Sequence, residues 1–67
     1  MVIVGVDPGV RVTGVVIVEA KSRGSFTIRH TEEIATDVKT PLSERLNCIF
    51  NHLSEIILSF HPDTIVL

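Results

Sequence analysis

The chain has 67 residues, 45% apolar and 21% charged, with a formal net charge of −2. That composition excludes a disordered segment, and the slight acidity supplies none of the clustered Lys and Arg that usually mark a nucleic-acid surface. Cys48 is the only cysteine, which excludes an internal disulfide and a Cys-based zinc cluster.

The first element, Val2-Ile3-Val4-Gly5-Val6, is a nearly all-apolar run that ends at Asp7-Pro8-Gly9, a strong turn signal. It lacks the positive start and small-residue cleavage site of a signal peptide. No run reaches the roughly 20 apolar residues of a membrane span. A soluble, cytoplasmic protein with no membrane contact is expected, and the lone thiol suits that compartment. Gly14 opens a second apolar run, Val15-Val16-Ile17-Val18. Neither run alternates, so both read as strands buried on two faces. The short Pro8–Gly14 connection cannot hold a crossover helix, so the two strands are expected to be antiparallel neighbours.

The polar stretch Lys21–Ser25 predicts a second hairpin loop. Phe26, Ile28 and His30 then alternate with Thr27, Arg29 and Thr31, the period of a strand with one wet face. Glu32 and Glu33 read as a solvated bend after it. Further on, Thr40 is the expected helix N-cap and Pro41 the first helical residue, where its missing N–H costs nothing. Leu42, Leu46, Ile49, Phe50, Leu53, Ile56, Ile57 and Phe60 follow at helical spacing and predict one apolar face lying on the sheet. His61-Pro62 ends the helix, with His61 near its negative pole. Thr64–Leu67 begins a fourth strand. A helical crossover makes that strand parallel to a neighbour, with the first strand the simplest choice. The expected fold is α/β: three antiparallel strands, one crossover helix and a fourth strand parallel to the first. Residues 1–67 are expected to be the N-terminal part of a single, incomplete domain.

Asp7 is the residue with chemistry. A carboxylate at the end of a central strand is held rigidly, and hard cations such as Mg²⁺ take carboxylate oxygens together with waters and substrate phosphates. Asp-Pro-Gly by itself reads rather as a tight turn in which Asp bonds the backbone.

The longer string Asp7-Pro8-Gly9-Val10-Arg11-Val12-Thr13-Gly14 resembles the opening motif of the RuvC family of Holliday-junction resolvases, Asp-Pro-Gly-x-Arg-x-Thr-Gly. Leu42-Ser43-Glu44-Arg45-Leu46, Ile49, Leu53, Ile56-Ile57 and Pro62-Asp63 continue the likeness through the family's first helix. The resemblance implies a ribonuclease-H-like fold and a metal-dependent endonuclease that resolves four-way DNA junctions in recombination and repair. It also implies a homodimer that works with branch-migration proteins. The family's site gathers four carboxylates around two Mg²⁺ ions, with Mn²⁺ an alternative, an arrangement that stabilises both the attacking and the leaving oxygen. Asp7 maps onto the first of the four. The family's second would follow Leu67, and the other two lie further downstream, so this chain alone is expected to be inactive. Val15-Val16 stand where many members have an aromatic residue and Gly, and Glu32 stands where Gly is expected.

Arg11 reads as a phosphate contact or an exposed turn residue. Thr13 reads as a phosphate contact or as a cap of the turn, the latter being favoured. Asp63, at the start of the fourth strand, belongs to the end of the sheet opposite Asp7. His30, His52 and His61 share no metal-ligand spacing, and Cys48 reads as a small apolar helix residue. Two other readings follow from the residues. One is a nucleotide- and Mg²⁺-binding fragment of the actin-like or sugar-kinase-like fold, which also uses a first-strand Asp; the Pro8, Arg11 and Thr13-Gly14 spacing speaks against it. The other is a non-catalytic remnant that associates through its sheet edge.

Overall fold

Strand β1 (Val2–Asp7) and strand β2 (Val12–Ala20) form an antiparallel hairpin, in register from Val2 opposite Glu19 to Asp7 opposite Gly14. The computed structural model describes all 67 residues, Met1–Leu67. β2 begins two residues before Gly14, so the β1–β2 turn shrinks to Pro8–Arg11. A short 3₁₀ turn, Ser22–Gly24, leads from β2 into strand β3 (Phe26–Ala35). Arg23 and Gly24 take positive φ values of 66° and 77° there.

β3 is longer than its alternation predicts and contains a bulge. Ile17 pairs with His30 but Val18 pairs with Ile28, which leaves Arg29 as the extra residue. A one-residue insertion switches faces. Phe26 and Ile28 therefore lie on the opposite face from His30, Glu32 and Ile34, rather than in one stripe with His30. Glu32 and Glu33 are strand residues paired with Val15 and Gly14, not a bend.

Helix α1 (Leu42–Phe60) crosses one face of the sheet and delivers strand β4 (Thr64–Val66) parallel to β1. The sheet order is β3-β2-β1-β4. Pro41, not Thr40, occupies the N-cap, and no side chain caps the helix there. The Thr40 N–H instead closes a turn onto the Asp37 carbonyl. His61 caps the C-terminus in the left-handed region, φ 47°, and its N–H bonds the Ile57 carbonyl. The expected apolar helix face is divided. Ile56 is buried, and Ile49, Leu53 and Phe60 pack against the core, while Leu42, Leu46 and Phe50 remain exposed. Apolar residues cover a wider arc of α1 than one sheet face can contact.

The core is Val4, Val6, Val15, Ile17, Ile34 and Ile56, between the sheet and α1. The other face of β1 and β2 is half-buried rather than buried, because α1 covers one side only. No helix is long and apolar enough to cross a membrane.

Candidate active site

Side chains alternate along β1. Val4 and Val6 point to α1, so Asp7, on the odd positions, faces the side α1 leaves open. A Cβ built on Gly14 would sit 3.7 Å from the Asp7 Cβ, which puts the two on the same face. The Asp7 carboxylate makes no hydrogen bond and no ion pair within the chain, and its residue is exposed. It borders a groove of about 710 Å³ lined also by Gly5, Gly14, Val16, Thr31 and Glu33.

The turn after Asp7 does not use the Asp carboxylate. Thr13 does that work: its hydroxyl donates to the Gly9 carbonyl at 2.7 Å and accepts from the Gly9 N–H at 3.2 Å. Thr13 is 1% exposed. Its hydroxyl is committed to the backbone, the turn-capping role favoured over the phosphate contact. Arg11 lies in the same turn, exposed and without an ion-pair partner. A Cβ on Gly9 would meet the Val12 carbonyl oxygen at 2.4 Å, so only Gly fits this turn.

A second set of bonds grips the turn from outside. The Thr36 hydroxyl donates to the Val10 carbonyl at 2.5 Å. The Arg45 Nε donates to the Thr36 Oγ1 at 3.0 Å, and its terminal nitrogen to the Val10 carbonyl at 3.4 Å. The Thr36 N–H bonds the Arg11 carbonyl. Sequence reasoning did not find this set. Its one visible signal is that Arg45 precedes Ile49 by one helical turn, on the stripe that faces the sheet.

Register also brings Glu33 into line with Asp7. Asp7 pairs with Gly14, and Gly14 with Glu33. The two carboxylate residues therefore share one face, with their backbones roughly 10 Å apart across a strand that carries no side chain at that point. Asp63 is at the other end of β1. Its carboxylate accepts from the Val2 N–H at 2.7 Å and its own N–H bonds the Val2 carbonyl. No three His, Cys, Asp or Glu side chains are close enough together to hold a metal by themselves. Asp7 has the chemistry of one ligand: a free, hard oxygen donor on a rigid strand end.

The family model for crossover junction endodeoxyribonuclease RuvC matches residues 3–67. The chain belongs to the RuvC family. It is 38% identical over 65 residues to the RuvC of Bifidobacterium adolescentis, a match covering 97% of this chain and 34% of the relative. It is also 38% identical over 60 residues to that of Anaplasma phagocytophilum, covering 90% and 37%. The chain thus spans about a third of the length of these RuvC relatives. Among solved structures, that of T. thermophilus RuvC in complex with a Holliday junction substrate superposes with a TM-score of 0.92 at 28% identity, over 97% of this chain and 41% of that one. The RuvC, ribonuclease-H-like sheet expected from the motif is the sheet observed, with the same strand order and the same parallel β1–β4 pair.

Proposed function

We propose that this chain carries the first metal ligand of a DNA-junction endonuclease, with Asp7 in that role. The carrying observation is the unpartnered Asp7 carboxylate, held at the end of β1 on an open groove in a RuvC-family sheet. Asp7 fits one position of a hard-cation site, and a bound Mg²⁺ or Mn²⁺ would supply charge stabilisation to an in-line phosphodiester displacement. The chain's own part is to hold the Asp7 oxygens free of competing bonds and to expose Arg11 in the turn that follows, for a phosphate. The pairing of Val66 with Gly5 brings the end of β4 to the same sheet edge as Asp7. The substrate by this reading is four-way junction DNA, met by a homodimer in concert with branch-migration proteins.

The test is a titration of Mn²⁺ into the isotope-labelled chain, followed by paramagnetic broadening of backbone amides. Broadening should centre on Asp7 and Gly14 and vanish in Asp7→Asn, while the unfolding midpoint stays put because the carboxylate holds nothing. Broadening that persists in Asp7→Asn removes Asp7 from the metal. The 67-residue chain should cut a four-way junction little or not at all, since it brings one of the four carboxylates. Metal-dependent cutting that Asp7→Asn abolishes would show a complete site and overturn that expectation.

A further inference from the structure

The turn that follows Asp7 is fastened twice, and the outer fastening comes from elements remote in sequence. Val10 lies 26 residues before Thr36 and 35 before Arg45, yet its carbonyl accepts from both side chains. The donor chain is directional. Arg45 Nε gives a hydrogen to the Thr36 oxygen, which leaves the Thr36 hydroxyl hydrogen for Val10. A charged donor strengthens the hydroxyl it polarises. Between the turn and α1 lies an open groove of about 250 Å³, lined by Pro8, Gly9, Val10 and Thr13 and by Leu46 and Ile49. The outer part of the turn is tied across that groove by the Thr36 and Arg45 hydrogen bonds.

We infer that Arg45 is a positioning residue for the site. Acting through Thr36 and Val10, it fixes the Pro8–Arg11 turn and hence the setting of Asp7 on one side and Arg11 on the other. Arg45 touches neither metal nor DNA in this role. The guanidinium is required in particular, because Nε and a terminal nitrogen serve two acceptors at once in a planar fork, which a Lys ammonium on its flexible stem does not reproduce. The inference rests on Asp7 being a metal ligand, and the test separates the two.

The experiment reads Mn²⁺ broadening and amide exchange on the 67-residue chain and its Arg45→Met, Arg45→Lys, Thr36→Val and Asp7→Asn variants. Arg45→Met should speed exchange of the Thr36 amide and weaken Mn²⁺ at Asp7 by roughly tenfold, the lower end of what loss of a ligand's supporting partner costs. Thr36→Val should do the same in direction. Arg45→Lys should stay nearer to Arg45→Met than to the parent, and a full rescue by Lys would overturn the fork in favour of plain charge. If Arg45→Met leaves Mn²⁺ affinity unchanged while Asp7→Asn abolishes it, Arg45 positions nothing and the ligand assignment stands. If Asp7→Asn binds Mn²⁺ like the parent, the ligand assignment fails and the positioning role fails with it. Should Arg45→Met prove unfolded, Thr36→Val decides alone: it removes one hydroxyl at the strand end and keeps the residue's shape.

Discussion

At the scale of single residues, the turn after β1 shows a division of labour that frees Asp7. An Asp before Pro-Gly ordinarily bonds its own turn. Here the buried Thr13 hydroxyl takes both backbone groups of Gly9, so the carboxylate is left without a partner in the chain. The arrangement depends on Gly9, because any Cβ there would lie 2.4 Å from the Val12 carbonyl oxygen, a backbone atom that cannot swing aside. Gly9→Ala should therefore cost about 1–3 kcal/mol, the range for forced overpacking, and should shift the amide resonances of residues 8–13. A urea midpoint equal to the parent's would show that the turn is looser than its geometry. The exposed places of Asp7 and Arg11 at the end of β1 and in its turn follow from the sequence, since those positions are local. The Arg45–Thr36–Val10 set does not, because it joins three positions that only the tertiary fold brings together.

At the scale of elements, periodicity was informative where one face is buried and silent where the backbone breaks step. Strands β1 and β2, the crossover helix and the parallel β4 follow from apolar runs, turn residues and connection length. The bulge at Arg29 does not, because Phe26, Ile28 and His30 keep a period of two in sequence while the pairing slips by one. That slip puts Glu33 in the Asp7 row. The helix starts one residue later than Thr40 predicts: the Glu44 and Arg45 N–H groups both bond the Pro41 carbonyl, which makes Pro41 the N-cap. Asp63 lies where the sequence puts it, at the end of the sheet opposite Asp7, and there it is the clasp of β4. Its carboxylate and its amide hold both polar groups of Val2, ahead of a three-residue strand whose residues are all exposed. Asp63→Ala should lower stability by about 0.5 kcal/mol, the low end for a hydrogen bond near solvent. The sharper effect should be selective exchange of the β4 amides. Uniform exchange across all four strands would assign Asp63 to global stability rather than to β4.

At the scale of the whole molecule, the fold stands on a thin core. Seven of 67 residues are buried, six of them apolar, all on the α1 side of the sheet. The opposite face leaves Phe26 63% and Ile28 57% exposed, at the end of β3 away from the Asp7 groove. One such layer yields only about 3–5 kcal/mol in a chain of this size. Ile17 is fully buried at its centre. Truncating a buried Ile to Ala costs about 2–5 kcal/mol, which is the whole of that reserve. Ile17→Ala should therefore be largely unfolded at room temperature by circular dichroism, whereas Leu58→Ala, on the outer side of α1 and 71% exposed, should stay within about 0.5 kcal/mol of the parent. Equal midpoints for the two variants would mean that α1 does not pack on this sheet in solution. The rigid setting of Asp7 depends on that packing, because β1 and β2 are held from the α1 side alone.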